Sequence, residues 1–422
     1  MVARGRGSIM SNPGDSSPDP VGPAVVRPGS GVEVAEALRR TSDARQTIVI
    51  RGAGTKSDWG RPAGRVDTIL DMRGLNRVLE HQHGDMTATI EAGATLRDVN
   101  RALAQHGQWL PIDPPHADAA TIGGILATND SGPLRHRYGT PRDLVIGIQL
   151  ATTDGVLSQA GGRVVKNVAG YDLGKLITGS FGSLAAIVSA TFKLSPLPAA
   201  SKTLRLDVPD AASLGQVVGT VMASQLEPIA FELDTRRSIL ASNAAERPLD
   251  GRHAERDRLA VQVLVRFASL PAVVDAQIEQ ARVGLKACAT AFDVVEGDAE
   301  QTLWREHADR IWTGGAAIVR ASWLPANIAR LAGEIEDLEL VGRAAVGAGL
   351  IRIDGDTDTQ SRAIERLRAS AVLGNVVIVR ASHEVKARVD VWGSAGDRQP
   401  LFDALKCALD PHNVLNAGRG PL

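Results

Sequence analysis

Aromatic residues are scarce in this chain, making up 3% of its 422 residues. That is too few for a platform on which single-stranded bases stack. An excess of charge of either sign is missing too. The 47 Lys and Arg against 48 Asp and Glu give no global field toward nucleic acid or anionic lipid. Nucleic acid is therefore not an expected partner. The two cysteines, Cys288 and Cys407, form no CxxC pair and no His/Cys cluster. They stand in apolar, helical-looking stretches and read as buried, reduced thiols. No run approaches the ~18 consecutive apolar residues of a membrane span. Met1 to Pro23 mixes Gly, Ser, Pro and Arg without the apolar stretch of a signal peptide, and reads as a flexible lead. The expectation is a cytoplasmic protein, with any contact to the inner membrane peripheral and made through partners.

Apolar residues at 44% and charged ones at 23% are ordinary for a globular protein. The length suggests two or three domains. Order should begin at Ala24. Val32 to Arg40 has helical spacing, and Thr47 to Ile50, Thr68 to Met72 and Ala88 to Glu91 read as strands. A charged hairpin is expected around His81 to Asp85 and a helix over Leu96 to His106. Pro111 to Pro115 is loop, and Ala119 to Asp130 is a small-residue segment. Val145 to Thr152 is a strand ending in the turn Thr153-Asp154-Gly155. Asp172 can cap a short helix, Leu173 to Thr178, before the strand Ala185 to Leu194. Ser195-Pro196-Leu197-Pro198 marks a boundary. Beyond it, strands near Leu204, Ala230, Leu259 to Phe267, Ala316 to Ala321, Leu350 to Ile353, Val376 to Val379 and Ala387 to Val391 alternate with helices. The domains expected are a 1–23 lead, a cofactor-binding domain over 24–198, a C-terminal cap or substrate domain over 199–404, and a tail over 405–422.

Three glycine-rich turns carry the chemistry. The first, Arg51-Gly52-Ala53-Gly54-Thr55-Lys56-Ser57, follows a buried strand. Its glycines permit positive φ, so that successive N–H groups can converge on an anion, while Thr55, Ser57 and Lys56 add hydroxyls and a charge. A Rossmann fingerprint fails here, because Ser57 replaces the third glycine and Asp58-Trp59-Gly60-Arg61-Pro62 is loop. A Walker A loop fails at Gly170 to Lys175, where the spacing is short and Leu176 replaces the magnesium-binding hydroxyl. The second segment is Ala120-Thr121-Ile122-Gly123-Gly124-Ile125, preceded by Pro115 and followed by Asn129-Asp130-Ser131-Gly132 and Tyr138-Gly139. The third runs from Gly161 through Arg163 and Gly170 to Asp172, then to Gly179-Ser180-Phe181-Gly182 and on to Ile187. Three such turns at the strand ends of one domain point to an extended cofactor rather than a lone phosphate.

These blocks resemble, in order, the FAD-binding domain of the vanillyl-alcohol-oxidase-like (PCMH-type) flavoproteins. Arg51 to Lys56, Glu91 to Thr95, Ala120 to Gly124, Tyr138-Gly139 with Arg142-Asp143, and Gly179 to Leu184 carry the resemblance. It implies an α+β fold with two subdomains clasping FAD, and an α+β C-terminal domain facing the flavin. The tail through Asn416 looks like the family's closing segment, returning to the FAD domain. Gly162 to Asp172 looks most like the FAD-binding E subunit of bacterial glycolate oxidase. That resemblance implies oxidation of glycolate or a similar small 2-hydroxy acid, with a second flavin subunit and an iron–sulfur subunit as partners. It also leaves open a relay or structural role, or an independent dehydrogenase for an acid such as D-lactate.

Departures from the family pattern sharpen the expectations. Covalent members attach flavin through a histidine in the first glycine turn. Here Thr55 and Lys56 occupy that stretch, implying non-covalent FAD. Ala53 replaces a glycine, and Ala185-Ala186 a Gly-Val pair. Related dehydrogenases carry a His-x-His metal pair in the C-terminal domain; His81-Gln82-His83 is the only such spacing and reads as a solvated turn, so no metal is expected. Arg320, Arg380 and His383 end or follow strands and could serve a carboxylate or a hydroxyl proton, but ordinary solvated charges look the same, and no catalytic residue is assigned. Glu334 to Glu339 reads as a solvated helix face.

Overall fold

The computed structural model describes residues 22–162, 171–237 and 259–421. The chain first builds a small parallel sheet of Ala24–Val26, Thr68–Asp71 and Ile48–Arg51, with Thr68–Asp71 in the middle. It then builds a five-stranded antiparallel sheet in the order Val78–Gln82, Thr87–Glu91, Ala186–Lys193, Val145–Ala151, Leu157–Gly161.

The helix Gly31–Asp43 lies between these sheets. Ser30 starts it, accepting from the Glu33 N–H. Its apolar stripe of Val34, Ala35, Ala37 and Leu38 meets Ile48 and Leu70 on one side and Ala186 and Val188 on the other. The second face of the larger sheet receives helices Leu96–Ala104, Ile122–Thr128 and Leu173–Ile177, packed on Ile90, Ile148 and Phe192. Both faces of Ala186–Lys193 are therefore covered, which is why that strand is buried from Ala186 to Phe192. Asp172 caps its helix as the sequence indicates, accepting from the Lys175 N–H.

The rest of the chain forms one antiparallel sheet of eight strands. Their order is Ala291–Glu296, Ala200–Val208, Leu259–Ser269, Ala230–Arg237, Glu339–Arg343, Ala348–Ile353, Ala317–Trp323, Leu373–Arg380. Helices Ala211–Ala223, Pro271–Leu285, Ile328–Glu334 and Thr357–Ala369 cover one face around a large apolar core. The opposite face carries the helix Gly297–Arg310 and looks toward the first half. There Ile318, Val341, Leu350 and Val379 pack against Trp59, which comes from the loop after the first glycine turn.

Several expectations are corrected. Ile122–Thr128, left without an assigned element in the small-residue segment, is a helix. Its Gly123 is required by packing, because a Cβ there would lie 2.8 Å from that of Ala92. Ala387 to Val391 is not a strand: Ser382 caps the helix His383–Arg388, and the buried Val389 and Val391 follow it in an irregular segment. The acidic stretch is not one helix face, since the helix stops at Glu334 and Glu339 opens a strand. Ala291–Glu296 and Glu339–Arg343 are strands that periodicity did not separate from neighbouring helix. Cys288 is buried, but Cys407 is exposed on the helix Gln399–Leu409. The His81-Gln82-His83 segment is more than a solvated turn. His81 lies in a strand and hydrogen-bonds Gln108 at 2.8 Å, and its ring and that of His83 pack on His106.

Candidate active site

The strand Ile48–Arg51 delivers the first glycine turn to the end of the parallel sheet, where the C-terminal tail meets it. Ile48 N–H donates to the Val414 carbonyl, and Asn416 N–H to that of Ile48, each at 2.9 Å. The Asn416 side chain then joins two elements, accepting from Ile50 N–H at 3.0 Å and donating to the Phe181 carbonyl at 2.5 Å. Lys406 fastens the tail from below, donating to Asp410 at 2.6 Å, the Ser183 carbonyl at 2.8 Å and the Leu415 carbonyl at 3.1 Å. Arg419 reaches back to the Ser57 and Trp59 carbonyls.

These elements enclose a cleft of about 830 Å³, counting its open mouth. Its lining includes Arg51, Gly52, Ala53, Gly54, Thr55, Lys56 and Ser57, with Thr121, Gly123, Gly124, Gly182, Ile187 and Asn416. Sequence reasoning did not single out Met72, Ala92, Thr128 and Arg419, which share the lining, although Ala92 and Arg419 stand beside Gly93 and Gly418. The other residues singled out from the sequence support the walls instead. Ile122 is fully buried in the core. Asn129 closes its helix in the left-handed region at φ 46°. Gly132 N–H donates to Asp113 at 3.0 Å, and Gly139 turns at φ 80° over Asp143. Tyr138 packs edge-on to Trp109, Asp172 is the helix cap, and Pro115 is half-buried in the preceding loop. Arg163 to Gly170 of the third block lies outside the described residues.

The cleft is shaped for a flat, phosphate-bearing ligand. Gly54 takes φ 79°, and a Cβ on Gly52 would collide with the Thr121 hydroxyl. Among the described residues, no acceptor takes the amides of Ala53, Gly54, Thr55 or Lys56. Four consecutive free donors at a cleft wall form an anion-binding concavity.

Where the cleft borders the eight-stranded sheet, charges from both halves meet. Lys56 Nζ lies 3.4 Å from Asp130, the two side chains being 7% and 4% exposed. Arg320, from the strand Ala317–Trp323, approaches the other Asp130 oxygen at 3.2 Å. Burial pulls the Lys56 ammonium below its ordinary range despite Asp130, and Arg320 adds to that. Arg343, a strand-end arginine, lies 3.5 Å from the fully buried Glu232 and donates to the Ser131 carbonyl at 3.2 Å. Arg135 makes no ion pair among the described residues, and burial with Arg343 and Arg320 nearby lowers its pKa. Asp113 accepts from Gly132 and Leu134 N–H, yet burial pushes its carboxyl up to about 7. Of the three side chains proposed from strand ends, only Arg320 reaches this seam. Arg380 donates to the carbonyls of Trp312 and Gly314 at 2.6 and 3.1 Å, and His383 is exposed at the start of its helix. Arg343 closes the strand Glu339–Arg343, whereas Arg320, expected at a strand end, lies in the middle of Ala317–Trp323.

A model of the FAD binding domain matches residues 22–161, and one of the C-terminal domain of FAD linked oxidases matches 197–327. The chain carries the FAD binding domain and matches the C-terminal domain of FAD linked oxidases. The protein is an FAD-dependent oxidoreductase, and its cleft suits that cofactor in having a wall of backbone amides without acceptors among the described residues. It is 27% identical to glycolate oxidase subunit GlcD of Bacillus subtilis (strain 168), over 94% of this chain and 88% of that protein. It is 28% identical to D-2-hydroxyglutarate dehydrogenase of Xanthomonas citri pv. viticola, over 96% and 89%. Glycolate oxidase subunit GlcE of Escherichia coli (strain K12) is 34% identical, over 46% of this chain and 54% of that subunit. A solved structure of alkyldihydroxyacetonephosphate synthase shares the fold, with TM-score 0.65 at 18% identity over 93% of this chain and 75% of its own. Among the described residues, no helix is long and apolar enough to cross a membrane, and no group of three His, Cys, Asp or Glu could hold a metal ion.

Proposed function

We propose that this protein holds FAD non-covalently and oxidises a small 2-hydroxy acid, glycolate to glyoxylate being the expected reaction, within a glycolate-oxidase-type complex. The observation that carries the reading is the meeting of cleft and seam. The glycine turn that lines the cleft carries Lys56, which pairs with Asp130, and Arg320 of the second half pairs with the same carboxylate. The similarity to GlcD and to D-2-hydroxyglutarate dehydrogenase supports the substrate class.

In this reading the amides of Ala53 to Lys56 hold the diphosphate, and each charge-assisted hydrogen bond contributes on the order of 1.5–3 kcal/mol. No side chain in the turn is suited to a covalent tether: Thr55 and Lys56 stand where a histidine would be needed. Arg320 and the unpaired Arg135 receive the substrate carboxylate. Trp59, 3% exposed and stacked on Trp312 with centroids 5.8 Å apart, keeps water from entering between the halves. Bound FAD supplies the two-electron acceptor. Partners expected on this reading are a second flavin subunit and an iron–sulfur subunit, with membrane contact made through them.

The test is direct. A visible spectrum before and after acid precipitation reports FAD and its release, and a colourless protein that takes up no flavin refutes the reading. Anaerobic mixing with glycolate or D-lactate should bleach the flavin band. A second reading, an electron relay, is favoured by the stronger identity to GlcE, confined to part of each chain. It predicts bleaching only when partner subunits are added.

A further inference from the structure

Lys56 follows the phosphate-type turn in sequence, where a lysine would ordinarily be counted as a phosphate anchor. Its ammonium goes elsewhere. Nζ lies 3.4 Å from Asp130 and 5.6 Å from the centroid of Trp59, whose other cationic neighbour is Arg320 at 5.4 Å. It is buried and, among the described residues, makes no well-aligned hydrogen bond, although the side chain lines the cleft. An ammonium without a well-aligned hydrogen-bond partner in a dry wall is costly unless something adjoining the wall needs a positive charge. Asp130 does not fully supply that need, because it is shared with Arg320.

The chemistry proposed above supplies it. Oxidation of a CH–OH carbon to a carbonyl releases two electrons and two protons. The flavin takes both electrons and one proton, the second proton passes to solvent, and the reduced ring carries one negative charge. Because that ring must lie where substrate arrives, it belongs at the seam end of the cleft. There Lys56 belongs to the first half and Arg320 to the second.

We propose that Lys56 is a redox-tuning residue, a fixed cation beside the flavin ring that raises its affinity for electrons, and not a phosphate anchor. This rests on the functional reading above. The experiment compares wild type, K56M and K56R, each purified with FAD, by reductive titration against a reference dye and by titration with sulfite, which adds to flavin as an anion. K56M should retain FAD but have a midpoint potential lower by about 30 mV or more, a tenfold change for a two-electron couple. Its affinity for sulfite should fall roughly tenfold as well, while K56R stays near wild type. An unchanged midpoint in FAD-loaded K56M overturns the proposal. So does loss of FAD from a folded K56M, which would make Lys56 a binding anchor. Should K56M fail to fold, K56Q carries the same comparison. Wild-type protein that binds no FAD refutes the functional reading itself, a result distinct from both.

Discussion

Asp113→Asn isolates one titrating carboxyl at the seam. Burial raises that carboxyl from 3.8 to about 7, opposed by the Leu134 N–H, Arg343 and the Gly132 N–H. A carboxyl whose folded pKa lies above its unfolded one binds protons more tightly in the native state. Its contribution is therefore fully present below about pH 4 and is lost as pH rises through about 7. A rise of that size corresponds to about 4 kcal/mol at most, and solvent relaxation makes it less. Asparagine cannot ionise, but it can accept only one of the two amides at 3.0 and 2.9 Å. The variant thus carries a constant penalty of about 1–3 kcal/mol. Urea unfolding of both proteins at pH 4, 5, 6, 7 and 8 separates the two effects. The wild-type advantage should shrink steadily from pH 4 to pH 8, by about 2–4 kcal/mol, and could reverse sign at the top. A gap that stays constant across the range refutes the argument.

Three other substitutions test the cleft and its closure. Gly52→Ala drives a Cβ into the Thr121 hydroxyl, whose backbone is held by a bridge to Thr95. Overpacking of this kind costs about 1–3 kcal/mol, so FAD affinity should fall tenfold or more; wild-type flavin absorbance in the purified variant counts against the placement. Lys406→Met strands the buried Asp410 carboxylate and should destabilise the protein by about 3–5 kcal/mol in urea melts, with K406M/D410N recovering part; a melt within 1 kcal/mol of wild type would show that the tail is held otherwise. Arg320→Met removes a charge from the seam and should raise KM for the hydroxy acid ten- to a hundredfold, since a charge-assisted hydrogen bond contributes about 1.5–3 kcal/mol. An unchanged KM would move the carboxylate site away from Arg320.

The cleft was legible in the sequence to the extent that it is made of backbone. Gly52 and Gly54 are needed where a Cβ or a negative φ would fail, and those requirements leave residue types that can be read directly. The same logic did not reveal that Gly123-Gly124 lies in a helix, because a glycine demanded by close packing of a helix on Ala92 looks the same as one demanded by a turn. Pattern also failed at Ala387 to Val391, where alternating valines are buried by tertiary contacts rather than by sheet pairing. The seam was the least readable part. Asp113, Asp130, Glu232 and Arg343 come from separate elements, and nothing local marks that Arg343 will meet Glu232 or that Asp130 will face both Lys56 and Arg320. Arg320 was expected to end its strand but lies in the middle of Ala317–Trp323 and is turned to the other half, whereas Arg380 does close its strand and is spent on the carbonyls of Trp312 and Gly314.

The bond between Asn416 and Ile50 spans 366 positions of sequence. A ribosome therefore finishes the glycine turn long before it supplies the segment that completes the same wall. Until Asn416 emerges, Ile50 N–H and the Phe181 carbonyl lack their shared partner, and the nascent first half has only part of its nucleotide groove. Flavin loading should accordingly wait until the segment bearing Asn416 has been made, and a chain truncated before Asn416 should be colourless.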